Sequence, residues 1–387
     1  MITVKDNCAA CGVCVDICPV TALRLTHKGV VVDTGVCIDC GICSRKCPFR
    51  AIEAKNSSNQ DLIRDIRFQV TKACNFDCPY CFSDAKAPLE NELSLFEAKG
   101  LVNELISCGL KTLTFTGGEP LMRKDLVFSL LDYLHKNKIY TKLFTNGALL
   151  DKEAIAKLMD IANEVQISVH GHTDAHGWQK MRLLFIQLKK KNIRTALRIT
   201  LTSRNYKKVK EVVKFAGENK VDILRVRPFI AQGRGLMHQG YLMGKRAAQE
   251  SIGYLASVRR TKNYPIQLLT PSLAFLYDRH IKSGSLLKRG FIGYTSCKCI
   301  DAMGTILPDG SVRACAYFPQ DLGNIRKDSF SKIWSEKNKL KRELKVKRLD
   351  KKCMDCAYVS ICGGGCRANA YVNAGSLKAP DPQCFKN

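Results

Sequence analysis

From residue 66 onward the chain alternates short apolar runs with amphipathic stretches. The runs at 66–71, 111–116, 140–144, 164–169, 193–201 and 222–227 have the length and β-branched content of strands. Between them, apolar residues recur at helical spacing near 94–107, 124–137, 151–162, 177–191 and 205–218. Six strands alternating with five helices predict an α/β fold with a parallel sheet under covering helices, closed into a barrel or partial barrel. In such folds chemistry gathers at the C-terminal ends of the strands. Residues 53–65 lose apolar content and gain Asn, Ser and Gln, which reads as a linker. Residues 231–290 read as a bridge with little legible chemistry. No apolar run approaches the length of a membrane span. Met1 opens a polar segment without a charged-then-apolar leader, so the expectation is a cytoplasmic protein.

Cysteine changes this picture most. Of the 20 cysteines, all but Cys108 fall into spaced groups. They are Cys8, Cys11, Cys14 and Cys18; Cys37, Cys40, Cys43 and Cys47; Cys74, Cys78 and Cys81; Cys297, Cys299 and Cys315; and Cys353, Cys356, Cys362, Cys366 and Cys384. C-x-x-C pairs close loops too small to be useful disulfide staples, so in a reducing compartment they read as metal or redox sites. Cys108, at a predicted helix end, reads as a core residue. The segments CAACGVCVDICP and CIDCGICSRKCP form an internal repeat, each C-x2-C-x2-C-x3-C-P. That spacing resembles the bacterial two-cluster ferredoxin, in which the fourth cysteine of each run ligates the other cluster. The resemblance implies one [4Fe–4S] cluster on Cys8, Cys11, Cys14 and Cys47, and another on Cys37, Cys40, Cys43 and Cys18, together a conduit for low-potential electrons.

Further motifs follow the predicted strands. KACNFDCPYCF places Cys74, Cys78 and Cys81 after the first, and TFTGGEP places Gly117, Gly118, Glu119 and Pro120 after the second. Thr145, Asn146 and Gly147 follow the third, and Ser168 lies on the fourth. Over 66–230 these motifs resemble the radical S-adenosylmethionine (SAM) superfamily, which implies a partial (β/α)6 TIM-like barrel. Three thiolates leave one iron of a cluster open, and the resemblance implies that SAM fills it through its amino and carboxylate groups. An electron from that cluster then breaks a carbon–sulfur bond of SAM to give methionine and a 5′-deoxyadenosyl radical. By the same resemblance Gly117, Gly118 and Glu119 receive the SAM amino group, Tyr80 or Phe82 lies against the adenine, and Ser168 lies near the ribose. Many relatives read Ser-x-Asp-Gly on the fourth strand, whereas here it is Ser168-Val169-His170-Gly171. His170 is therefore a candidate proton acceptor, because imidazole titrates near neutrality.

The last hundred residues resemble the seven-cysteine SPASM extension of radical SAM enzymes that act largely on peptides and proteins. The resemblance implies one auxiliary cluster on Cys299, Cys315 and Cys366 with Cys297 as fourth ligand, and another on Cys353, Cys356, Cys362 and Cys384. The cofactors expected are thus SAM and five [4Fe–4S] clusters: two ferredoxin-type, one SAM-binding and two auxiliary. The organisation expected is an α+β ferredoxin domain at 1–55, a radical SAM core at 62–230, a bridge at 231–290 and a cysteine-rich domain at 291–387. The formal charge of +27 falls to roughly +18 once cluster charges are counted. That surface suits acidic partners. No aromatic-interleaved basic motif points to nucleic acid.

The leading functional reading is an anaerobic radical SAM oxidoreductase that modifies a peptide or protein side chain, fed by an external low-potential electron donor. The C-terminal string CGGGCRANAYVNAGSLKAPDPQC also resembles the tails of enzymes that trim propionates during haem or haem d1 synthesis. An anionic tetrapyrrole is therefore the alternative substrate. A glycyl-radical activase is the alternative of another class, although that family carries its ferredoxin cysteines after the SAM motif and here they precede it.

Overall fold

The computed structural model describes residues 2–26, 29–54, 63–169, 175–261, 264, 266–268, 303–335, 338–344 and 348–384. His170, Cys297 and Cys299 lie outside the described residues.

The N-terminal unit pairs β1 (Ile2–Val4) with β4 (Ile52–Ala54) and β2 (Leu23–Thr26) with β3 (Gly29–Val32), both antiparallel. Two short helices, α1 (Val13–Ile17) and α2 (Ile42–Lys46), each begin at a left-handed glycine, Gly12 at φ 85° and Gly41 at φ 69°. The sequence repeat is also a backbone repeat. Ala10 and Asp39 take φ 48° and 49°, and Thr21 and Arg50 take φ 52° and 51°.

The core follows the predicted alternation closely. The strands are β5 (Asp65–Gln69), β6 (Thr112–Thr116), β7 (Tyr140–Thr145), β8 (Glu164–Val169), β9 (Arg194–Leu201) and β10 (Ile223–Pro228), each parallel to the next. Between them run α3 (Leu95–Ser107), α4 (Lys124–Lys136), α5 (Lys152–Leu158), α6 (Ala175–Lys190) and α7 (Val209–Glu218). The region expected to be only a bridge supplies α8 (Lys245–Thr261) and β11 (Ile266–Leu268), which extends the sheet beside β10. At the other edge β12 (Met303–Ile306) pairs parallel with β5. β13 (Ser311–Arg313) and β14 (Gly323–Asn324) continue the sheet antiparallel, giving ten strands. The C-terminal segment is thus woven into the core sheet.

Strand alternation separates two environments. Leu113, Phe115, Leu143, Val165, Ile167 and Leu197 are buried in one apolar cluster with Leu101, Leu105, Leu130 and Leu134 of the helices. Each such side chain contributes about 1.5–3 kcal/mol by leaving water. The opposite face is polar and equally buried: Asp65, Thr112, Thr114, Lys142, Glu164, Gln166 and Arg225. Those groups fill the barrel interior, and buried polar groups require partners.

At the N-terminal end of the strands the partners come from the cysteine repeat. Gln267 Nε2 donates to the carbonyls of Cys18 (2.9 Å) and Asp16 (3.0 Å). Lys142 Nζ donates to Pro19 O at 2.9 Å, and Arg194 donates to the carbonyls of Val20 and Thr21. Arg225 reaches Thr21 Oγ1 at 3.1 Å while holding Glu164 through two contacts of 2.5 and 3.2 Å. Cationic and amide donors suit the end of α1, where helix carbonyls lack internal partners. The N-terminal unit therefore plugs the bottom of the barrel.

Candidate functional site

The opposite, C-terminal end of the strands is open. A cavity lies there, lined by Cys74, Cys78, Cys81, Tyr80, Phe82, Gly117, Gly118, Glu119, Asn146 and Ser168, and also by Arg198, Arg227 and Tyr317. The structure thus brings the three-thiol loop, the Gly-Gly-Glu segment, both candidate aromatics and Ser168 to one space.

Local packing explains why the segment after β6 needs two glycines. A Cβ on Gly118 would lie 2.0 Å from Ala73 O, and one on Gly117 would lie 2.6 Å from Thr71 O. The close approach lets Gly118 N donate to Thr71 O and Glu119 N donate to Ala73 O, both at 2.8 Å. Glu119 is 1% exposed. Its carboxylate accepts from Thr145 Oγ1 (2.7 Å), Asn146 N (2.8 Å) and Leu121 N (3.1 Å). Burial raises its pKa, opposed by the hydrogen bonds from Asn146, Thr145 and Leu121. Asn146 Nδ2 also donates to Asn75 Oδ1 at 2.8 Å. The turn after β7 therefore ties the buried carboxylate to the cysteine loop.

One clamp on that loop had no sequence signal. Arg234, in the expected bridge, donates to Cys78 O and Ala85 O at 2.9 Å each and pairs with Asp77 (2.5 Å) and Asp84 (3.2 Å). Gly233 precedes it at φ 55°, where a Cβ would stand 2.4 Å from Phe82 O. Arg198, Arg227 and Tyr317 also belong to no motif singled out above.

The thiols gather in neighbourhoods, the first two of which adjoin at Cys14 and Cys43. Cys14 lies among Cys11, Cys43, Cys47 and Cys8, while Cys43 lies among Cys18, Cys40 and Cys37. Cys78 lies by Cys81 and Cys74. Cys362 lies by Cys384 and Cys353, Cys353 by Cys356, and Cys366 by Cys315. Cys108 instead caps α3 and packs, partly buried, against the main core.

The donor chemistry of these sets fits iron–sulfur ligation. Backbone amides point at sulfur: Ala22 N at Cys18 (3.2 Å), Ala51 N at Cys47 (3.3 Å), Phe76 N at Cys74 and Ala85 N at Cys81 (both 3.4 Å). Such donors favour thiolate. Burial, followed by repulsion from neighbouring thiols, pushes Cys78 up to about 12. Cys366 is also raised to about 12, first by burial. A bound cationic core reverses that balance and deprotonates its ligands. Among the described residues no three Cys, His, Asp or Glu side chains group tightly enough for a single ion.

Comparison with known proteins matches three stretches of the chain. Residues 68–227 match the radical SAM superfamily, 297–357 match SPASM, an iron–sulfur cluster-binding domain, and 30–53 match a 4Fe–4S binding domain. The Fe-coproporphyrin III synthase of Methanosarcina barkeri is 25% identical over 370 residues, covering 88% of this chain and 92% of that protein. The PqqA peptide cyclase of Rhodopseudomonas palustris is 26% identical over 343 residues, covering 82% and 86%. Streptococcus suis SuiB, solved bound to its precursor peptide SuiA, superposes with a TM-score of 0.68 at 17% identity, covering 84% of this chain and 76% of that one. That superposition shows the shared fold.

Proposed function

We propose that this chain, a radical SAM enzyme with SPASM and 4Fe–4S binding domains, uses the cavity above β5–β10 to cleave SAM and oxidise a bound substrate. The observation that supports it is the convergence of the Cys74–Cys81 loop, Gly117–Glu119 and Ser168 on one cavity. Cys74, Cys78 and Cys81 hold the cluster, which with SAM supplies a 5′-deoxyadenosyl radical for hydrogen abstraction. Glu119 and the backbone at Gly117 and Gly118 orient the SAM amino group. Tyr80 or Phe82 covers the adenine, and Ser168 meets the ribose. Arg234 holds the cysteine loop against the barrel. The two ferredoxin sets and the sets around Cys315–Cys366 and Cys353–Cys384 serve one-electron traffic, so that the net change is an oxidation.

For the substrate, a carboxylate-bearing tetrapyrrole is favoured by the Fe-coproporphyrin III synthase relative, matched over nearly its whole length. A peptide is the second reading. It is favoured by a groove of about 640 Å³ that shares Phe82, Ser83 and Tyr317 with the cavity and offers room for an extended chain. The PqqA peptide cyclase relative agrees with that reading.

Anaerobically reconstituted protein is expected to hold about 20 iron atoms per chain. With reductant and SAM it is expected to yield 5′-deoxyadenosine, and Cys78→Ala is expected to abolish the yield. Mass spectrometry after incubation with carboxylate-bearing tetrapyrroles, iron coproporphyrin III and its precursors among them, or with peptides encoded beside the gene, separates the two substrates. An intact cluster content without 5′-deoxyadenosine overturns the reading.

A further inference from the structure

The barrel interior carries two pairs of arginines, and they are answered differently. Near the plug, Arg194 and Arg225 meet Glu164 and the docked carbonyls. Four residues beyond Arg194 on β9 stands Arg198, in register with Arg225, and two residues beyond Arg225 on β10 stands Arg227, both lining the open space. Among the described residues no carboxylate pairs with either. The Arg227 guanidinium lies 3.7 Å from the centre of the Tyr317 ring, and its Nε is buried without a hydrogen-bond partner. Arg198 shares a hydrogen bond with Tyr317, and Arg67 of β5 adds a third positive charge nearby. Burial first, then Arg227 and Arg67, lowers Arg198 to about 10, opposed by Tyr317.

Tyr317 is itself fixed. It is 7% exposed and its ring lies 4.7 Å from that of Phe82 on the cysteine loop. Arg227 also neighbours Cys366, in the auxiliary-cluster segment, a thiol that burial keeps protonated. The carboxylate of Glu119, which lines the same cavity, is committed to Thr145, Asn146 and Leu121. The chamber is thus lined by one occupied carboxylate and by two guanidinium groups that no carboxylate among the described residues pairs with. Guanidinium groups on an aromatic face are pre-organised for planar, two-oxygen anions.

We propose that Arg227 and Arg198, braced on Tyr317, form a subsite that receives a carboxylate of the substrate and so fixes which part of it faces the radical. The proposal rests on reading the cavity as the substrate chamber. A propionate of a macrocycle and an acidic side chain of a peptide supply the same chemistry. The methionyl carboxylate of SAM is the competing source of that chemistry.

The test uses the reconstituted holoenzyme, with glutarate as a bare dicarboxylate probe and calorimetry as the readout. Wild-type protein saturated with SAM is expected to bind glutarate, and Arg227→Gln to weaken binding about tenfold, the loss of one charge-assisted hydrogen bond. Arg227→Lys, which keeps the charge but loses the fork, is expected to fall between, and it also serves if Arg227→Gln folds poorly. SAM affinity, titrated separately, is expected to change less than about twofold. No glutarate binding by wild type, or equal binding by both variants, overturns the subsite. A fall in SAM affinity instead of glutarate affinity assigns the arginines to SAM and also overturns it. Formation of 5′-deoxyadenosine by the same wild-type sample tests the chamber itself, so the two failures are distinguishable.

Discussion

At the residue scale, the cysteine loop is held by contacts that its own sequence does not contain. Arg234 binds two of its carbonyls and two of its carboxylates from more than 140 positions away. Each charge-assisted hydrogen bond contributes about 1.5–3 kcal/mol, more than a surface ion pair. Arg234→Gln is therefore expected to shed the iron of the three-thiol set selectively, a loss of about four atoms per chain, while the ferredoxin signals persist in electron paramagnetic resonance. Full iron content with unchanged SAM affinity would show that the clamp is dispensable. The thiols of that loop were legible because cysteine spacing is chemistry written locally. Arg234 was not, since an arginine outside any motif has no pattern until the fold brings it under the loop. Asn146 lies between these cases. Its turn was visible, but its bond to Asn75 exists only in three dimensions.

At the element scale, periodicity carried the core because strands and helices bury residues with different repeats. Helix α3 shows how its end was also written in sequence. Ser94 Oγ accepts from Glu97 N at 3.3 Å while the Glu97 carboxylate accepts from Ser94 N at 2.8 Å, a reciprocal cap. The same carboxylate takes Arg326 from the C-terminal segment at 2.6 and 3.2 Å, a partner the local sequence does not announce. Arg326 first, then Ser94, lowers Glu97 from 4.5 to about 2. A lowered acid contributes stability that is fully present above its unfolded value and lost as pH falls through the folded one. The contribution of Glu97 is thus expected above about pH 4.5 and lost toward about pH 2. Glu97→Gln is expected to flatten the acid limb of the unfolding curve in that window. Ser94→Ala is expected to cost about 1 kcal/mol at neutral pH. Identical acid limbs for wild type and Glu97→Gln would refute the linkage.

At the scale of the whole molecule, the cysteine repeat is internally symmetric but docks through one half. Thr21 and Arg50 occupy equivalent left-handed positions. Thr21 is 3% exposed beneath Arg225, whereas Arg50 faces solvent. The sequence showed two modules and a linker; it did not show that the first closes the second, because the four receiving side chains sit on separate strands. Removing one partner of the buried Arg225–Glu164 group leaves a charge uncompensated, at about 3–5 kcal/mol. By accepting from Lys142, Arg194, Arg225 and Gln267, the plug gives these buried donors their partners and so stabilises the barrel. Small cluster-bound domains fold with their metal, so iron loss in the first unit is expected to propagate. Cys11→Ser in the holoenzyme should raise amide hydrogen exchange in β10 and β11, whose ends meet residues 16–21, and leave β13 unaffected. The coupling spans a sequence separation of 249 residues at the Gln267–Cys18 bond. Unchanged exchange in β10 and β11 after that loss would mean that the unit merely rests against the barrel.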